Sequence, residues 1–433
     1  MSLLPETTRQ LDVLAAQTQA TGRAPSVVLG VVRDGGLEYM TGAGDHPAPD
    51  PGTQYRIGSI SKTMTATLVM RLRDEGRLAL DDPLDRHLPG TPVGSVTLRQ
   101  LLGHASGLQR EPDSAGWWER TEGTGVDTLL AGLTPEKLAH PPHRTYHYSN
   151  LAYGLLGAVL ERITGKPWID LLTDQILAPL SMLRTTYHPQ EPFAPGYVVH
   201  PLHGTVHEEP RTDTGAMAPA GQLWSTVADL ARWVAFLAEP VPEVLAPQTL
   251  AEMCVPVAIS DPETWSGGHG LGLELYRRGE RVLVGHGGSM PGYVSVIAVH
   301  RPSRTGIVGY ANAYGFPLGQ LGFAALLEVL DREPVPPPPW RPGVPPPPEV
   351  VELCGRWWWM GLPHDATWVG GELVLARAGR DPWRFTAEGT DRWRCRSGAN
   401  DGETLVVRRD AAGAVAALDI ATFVFTRDAG QLG

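Results

Sequence analysis

Cysteine is scarce: three residues, Cys254, Cys354 and Cys395, in 433. An odd number without metal-ligand spacing excludes a disulfide framework and a zinc module, and fits a reducing cytoplasm with the thiols as small buried hydrophobes. No run of about 18 apolar residues exists to span a bilayer. No block of Lys or Arg interrupts a net charge of −11, which argues against a nucleic-acid or anionic-membrane surface. The first 25 residues lack a basic stretch leading into an apolar core and a small-residue cleavage site, so they read as an amphipathic helix and not as a leader. No internal repeat, dinucleotide motif after a strand, or phosphate loop is present, and the histidines show no ligand spacing, so neither a metal nor an organic cofactor is expected.

What is there begins with proline. The stretch "EPVPPPPWRPGVPPPPEV", residues 333 to 350, is too rich in it for helix or sheet, and predicts an extended polyproline spacer of roughly 3 Å per residue. It divides the chain into a large region, 1 to 332, and a small one, 351 to 433. In the large region "SVVLGVVRDGGLEYMTGAG" predicts two strands around an Asp34-Gly35 turn. A helix is predicted from Ser59 to Leu80, and another from Asn150 to Gly165 with the glycine as its C-cap. "STVADLARWVAFL" opens with Thr226 and Asp229 in capping-box spacing. Helix and strand signals interleave, so the class is α/β or α+β. The small region alternates short apolar runs with Gly, Asp and Asn turns, the pattern of an antiparallel sheet or small barrel.

The chemistry starts at "YRIGSISKT", where Ser59 and Lys62 stand three apart at a helix start. Residues i and i+3 share a face with Cβ atoms ~5–6 Å apart, so the amine can reach the hydroxyl. A serine becomes a nucleophile when a neighbouring base relieves it of its proton, and a helix N-terminus adds positive partial charge. Alone, S-x-x-K also describes an ordinary solvated helix start. Two further stretches raise its weight. "TYHYSNLAYGLLG" places Tyr148, Ser149 and Asn150 before a helix, and "VLVGHGGSMPGYVSVIAVH" places His286-Gly287-Gly288-Ser289 between a short strand and a longer one. Glycines there let an acyl group approach the backbone, whose N–H can donate to an oxyanion.

Together with "LRQLLGHASGL" and "GQLWSTVADLARW", these motifs resemble the class C β-lactamase and penicillin-binding-protein superfamily of serine hydrolases over residues 10 to 330. The resemblance implies a β-lactamase/transpeptidase-like large domain with Ser59 as acylated nucleophile, Lys62 as its partner, Tyr148 as general base and later acid, and Asn150 as a substrate-orienting amide. It implies an oxyanion hole from the backbone N–H groups of Ser59 and Ser289, and substrate contacts at Gly287, Gly288 and Trp224. His286 stands where β-lactamases carry the lysine of K-T-G. A histidine is a weaker anchor for a substrate carboxylate at neutral pH, and members with H-x-G include esterases, D-amino-acid peptidases and peptide-cyclising thioesterases. The tryptophan-rich tail ending "ATFVFTRD" resembles the lipocalin-like domain of penicillin-binding-protein-type thioesterases, in which a late arginine, here Arg427, meets substrate. The leading expectation is a stand-alone thioesterase that takes a peptidyl thioester, carried on a carrier-protein phosphopantetheine arm, onto Ser59 and macrocyclises a nonribosomal peptide. The alternative is an esterase or D-stereospecific peptidase or amidase of the same family, ahead of a β-lactamase or DD-peptidase. A non-catalytic penicillin-binding or sensor module is disfavoured by the intact Ser, Lys, Tyr and Asn set.

Overall fold

The computed structural model describes residues 2–113, 118, 120–333 and 340–429. The chain divides into two compact units, 1–335 and 336–433. Of the proline-rich stretch, 334–339 lie outside the described residues. Its last residues are not extended: Pro348–Val351 forms a helical turn that delivers Val350 to the core of the second unit, followed by Leu353.

The large unit is built on an eight-stranded antiparallel sheet. Its spatial order is Gly36–Gly44, Ser26–Arg33, Thr305–Ala311, Tyr293–His300, Arg281–Met290, Glu274–Arg278, Gly267–His269 and Ala258–Ile259. The first hairpin turns where expected, with Asp34 and Gly35 both at positive φ, the geometry that matches strand twist. In "SVVLGVVR" successive residues choose opposite sides. Leu29 and Val31 pack with Leu11, Ala325 and Val329 of the terminal helices Pro5–Gly22 and Leu318–Arg332. Val28 and Val32 join Leu230 and Val234 of the helix Val227–Ala238 in the main core. That helix is capped as expected by Thr226, whose hydroxyl accepts the Asp229 N–H, but the box is not reciprocated. The Asp229 carboxylate instead takes the Arg184 N–H at 2.8 Å and the Thr185 hydroxyl at 2.9 Å.

Two helices, Ser61–Asp74 and Asn150–Thr164, form the centre of the helical region. The second ends as predicted, with Gly165 at φ 71°. The first is shorter than its periodicity suggested. Gly58 at φ +53° begins a 3-10 turn, Gly58–Ile60, so the α-helix starts two residues after Ser59, and Gly76 at φ +70° stops it after Asp74. Its buried threonines are satisfied internally: Thr63 and Thr65 accept the indole N–H groups of Trp233 and Trp168 at 2.9 and 3.1 Å.

The second unit is a closed eight-stranded antiparallel barrel in sequential order, Gly355–Trp359 through Phe423–Thr426, closed by the Trp358–Thr426 pair. Closure removes the unpaired edges that an open sheet of this size would expose. Trp357, Phe385, Leu405, Leu418 and Phe425 fill its interior. An α/β body and an antiparallel C-terminal barrel are therefore both present.

Candidate active site

Ser59 is presented by a packed turn. Tyr55–Arg56 pairs with Trp224–Ser225, and the Ile57 N–H bonds the Leu223 carbonyl at 2.9 Å. The chain then turns sharply through Gly58 against the strand Arg281–Met290: a Cβ on Gly58 would stand 2.6 Å from Ser289 N, and one on Gly288 would stand 2.0 Å from the Ile57 carbonyl oxygen. Only glycine fits at either position, and the result sets the nucleophile turn backbone to backbone with Ser289. From residue 53 to 70, Ser59 alone is not buried.

Lys62 is fully buried. Its Nζ donates to Ser59 Oγ at 3.0 Å and to the Ala220 carbonyl at 2.6 Å, and lies over the rings of Tyr148 and Tyr153 at 5.0 and 5.5 Å. Burial pushes the amine down to about 7, with Glu111 opposing the shift and Arg110 adding to it. Tyr148 moves the other way. Burial, then the negative charge of Glu274, carries its phenol well above the ordinary range, against a hydrogen bond with Ser59. At neutral pH the site therefore holds a phenol beside an amine that is half deprotonated.

The second motif is fixed by the helix it precedes. The Ser149 hydroxyl caps that helix by accepting the Ala152 N–H at 3.1 Å, while the Ser149 N–H donates to His104 Nδ1 at 3.1 Å. His104 in turn stacks on Tyr148, ring centres 4.2 Å apart. Asn150 donates its amide to Glu111 at 2.5 Å and leaves its Oδ1 buried without a partner. These residues meet in a cleft of about 490 Å³ lined by Ser59, Tyr148, Asn150, Gly287, Gly288 and Ser289. Val294, Val296, Phe316, Leu318 and Phe323 make one end apolar.

Two expected site residues are placed elsewhere. Trp224 is core: it is 1% exposed, packs edge-on against Phe193 and Tyr293, and does not line the cleft. His286 is also absent from the cleft surface. Its motif does not sit between two strands but inside one, Arg281–Met290, and its side chain points beneath the cleft floor, completely buried. There it lies 5.9 Å from the His269 ring and 6.2 Å from the Tyr148 ring. Burial holds His104, His269 and His286 below the ordinary histidine range, so all three are neutral. Arg427 belongs to the barrel, where its guanidinium covers Trp357 at 3.8 Å and donates to the carbonyls of Glu352, Cys354 and Arg356.

Sequence reasoning missed Arg110, Tyr146, Glu274 and Tyr276, which also line the cleft. Tyr146 was within reach, two residues before Tyr148 and so on the same face of an extended segment. Glu274 and Tyr276 alternate along the strand Glu274–Arg278, a pattern any half-buried strand shows. Among the described residues no group of three or more His, Cys, Asp or Glu is arranged to hold a metal ion. None of the described helices is long and apolar enough to cross a membrane.

Residues 11–331 match the Beta-lactamase family, and residues 346–427 match a domain of unknown function, DUF7586. Among curated proteins, Beta-lactamase-like protein 2 of Dictyostelium discoideum is 28% identical over 64% of this chain and 52% of its own length. Protein flp of Staphylococcus aureus is 23% identical over 72% and 64%. The chain thus spans between half and two thirds of the curated relatives it matches. Among solved structures, a D-stereospecific amidohydrolase from Streptomyces sp. is 29% identical with a TM-score of 0.64, covering 75% of this chain and 98% of that one. SurE is 25% identical with a TM-score of 0.61 and covers 98% of this chain and 99% of its own. D-amino acid amidase from Ochrobactrum anthropi SV3 shares the fold at a TM-score of 0.66 and 24% identity, over 76% of this chain and all of its own.

Proposed function

The chain belongs to the beta-lactamase family of serine hydrolases, and from that premise we propose that it is a stand-alone thioesterase that forms a peptidyl ester on Ser59 and releases the peptide as a macrocycle. The observation that carries the chemistry is the 3.0 Å contact between Lys62 Nζ and Ser59 Oγ, with the amine brought to about 7 by burial. In this reading the neutral amine, not a Tyr148 phenolate, takes the hydroxyl proton as Oγ attacks the carbonyl carbon. Negative charge on the carbonyl oxygen is met by the backbone N–H groups of Ser59 and Ser289. The carbon–sulfur bond then breaks, the leaving thiolate takes the Tyr148 proton, and Lys62 returns its proton to Tyr148. Deacylation runs the relay again, with the peptide's own N-terminal amine as nucleophile.

Cyclisation competes with bulk water at ~55 M, whereas an amine held in near-attack geometry reaches effective molarities of ~10⁵ M or more. The likeness to SurE extends over 98% of the chain, barrel included, so the whole two-unit arrangement, and not the large unit alone, has a counterpart of known structure. A second reading, hydrolysis of D-configured amides or esters, draws on the Streptomyces amidohydrolase, whose likeness covers 75% of the chain. One experiment tests the chemistry and the acceptor together. A fluorophosphonate should label Ser59 and nothing in Ser59→Ala. Peptidyl thioesters ending in an L- or D-residue should then give mostly cycle from the D-terminal donor, read by mass. Linear acid from every donor selects the hydrolase, and labelling that survives Ser59→Ala rejects the nucleophile.

A further inference from the structure

The two walls of the cleft differ in charge. Among its described lining residues two carry charge, Arg110 and Glu274. Arg110 belongs to the helical wall, where its guanidinium lies 5.1 Å over the Tyr148 ring. Glu274 belongs to the sheet wall and begins the strand Glu274–Arg278 opposite Gly285. Its Oε2 accepts the Gly287 N–H at 2.9 Å and also the Tyr276 hydroxyl. Burial raises this carboxyl, but its surroundings, the Tyr276 hydroxyl and the Gly287 N–H among them, outweigh that and hold it below the ordinary carboxylate range, so the group stays ionised. No Lys or Arg among the described residues pairs with Glu274; the nearest basic nitrogen is His286 Nδ1 at 4.0 Å, on a ring that burial keeps neutral. A carboxylate that lines the cleft with its side chain 23% exposed therefore has no Lys or Arg in contact with it. Such a group is costly unless something cationic meets it.

Its place along the strand sets what that something is. Gly287, which Glu274 holds, and Ser289, whose N–H faces the reacting carbonyl, are two residues apart, about 7 Å at the rise of an antiparallel strand. The carboxylate thus stands within about two residues' length of the scissile bond. We propose that Glu274 is a specificity residue that selects a primary ammonium on the residue bearing the reacting carbonyl or on its neighbour, and that turns away a carboxylate there. The proposal rests on the reading that Ser59 is acylated, but not on whether water or an amine completes the reaction.

The test measures protection of Ser59 from fluorophosphonate by four amides: D-leucine amide, glycyl-D-leucine amide, N-acetyl-D-leucine amide and N-succinyl-D-leucine amide. At least one of the two free amines should protect at about ten- to a hundredfold lower concentration than the acetyl compound, as a hydrogen bond to a charged group predicts, with the succinyl compound weakest. In Glu274→Gln the ratio between free and acetylated amine should collapse toward one, and because each ratio is taken within one enzyme, a general loss of reactivity cancels. Equal protection by all four, none by any, or a preference for the acetyl or succinyl compound in the wild type overturns the proposal, whether or not the variant folds. A ratio unchanged in a folded Glu274→Gln also overturns it. Failure of the acyl-enzyme reading looks different, since no serine in the wild type would then be labelled at all.

Discussion

The large unit gathers unpaired buried polar atoms around one cleft, whereas those of the barrel, Trp368 Nε1 and Asn400 Nδ2, belong to no such cluster among the described residues. Around the cleft the large unit leaves the Nε2 atoms of His104, His269 and His286 and the Oδ1 of Asn150 buried without partners, beside a fully buried lysine. The barrel keeps its charges outside, in pairs such as Arg356–Asp365, Arg394–Glu388 and Arg409–Asp391, and fills its interior with Trp357, Phe385, Leu405 and Phe425. Unsatisfied buried groups cost stability, and folds retain them where chemistry needs them. One unit therefore concentrates unpaired groups at a cleft while the other packs around an apolar interior, and each contrast has a measurable edge.

The sharpest edge is Lys62. Lys62→Met removes the proposed base while filling its volume with an apolar chain, so kcat/KM for a neutral ester should fall on the order of 10⁴-fold or more. A stopped assay on a folded, unlabelled variant checks this, and a loss under tenfold would assign the proton to another group. The same amine sets the pH profile of the wild type. Because burial lowers its proton affinity to about 7, Lys62 is a free base above that value and a spent, protonated one below it. The kcat/KM for a neutral ester should then rise with pH and level off above about 7, standing about a hundredfold lower at pH 5. His104, His269 and His286 are all held below their ordinary range, so a limb set by any of them would be centred at lower pH than one set by Lys62.

The barrel should respond in stability instead. Trp357 is completely buried and its indole N–H donates to the Leu353 carbonyl at 2.8 Å. Trp357→Ala should cost the barrel about 3–5 kcal/mol. Calorimetry should show its transition moving down, while the rate at which fluorophosphonate labels Ser59 stays near that of the wild type. An equal fall in labelling would erase the distinction between the two units.

How much of this was legible follows the same division. Spacing alone brought Ser59 and Lys62 together, since three residues at a helix start leave little freedom, and Y-x-N placed Tyr148 and Asn150 at the cap of the helix that faces them. The Ala220 carbonyl that holds Lys62 lies 158 residues away, a contact no local pattern encodes. His286 was misplaced because its neighbours Gly285, Gly287 and Gly288 have no side chains, so the period-2 signal that tells one face of a strand from the other is missing there. Trp224 was misplaced because a tryptophan near a motif fits a cleft and a core equally well by composition. The barrel was readable as an antiparallel sheet from its alternation, as in Leu362–Val369, but closure depends on the long-range Trp358–Thr426 pair.

Arg427 supplies the smallest expected effect and the one that separates a brace from a substrate contact. Three of its N–H groups go to carbonyls of Glu352, Cys354 and Arg356, and its plane covers Trp357. Planarity makes this possible, because a fork of donors in fixed directions reaches several carbonyls while its face lies on an aromatic ring. Lysine has neither property, so Arg427→Lys should recover little of what Arg427→Ala loses. If the residue is a brace, both variants should lower the barrel transition by less than Trp357→Ala does, because the guanidinium is exposed and water replaces its bonds in part. The KM for a long peptidyl thioester should then move no more than that for a small ester. A rise in the peptide KM alone, with the barrel transition unchanged, would instead make Arg427 the substrate-facing arginine that its position near the C-terminus resembles.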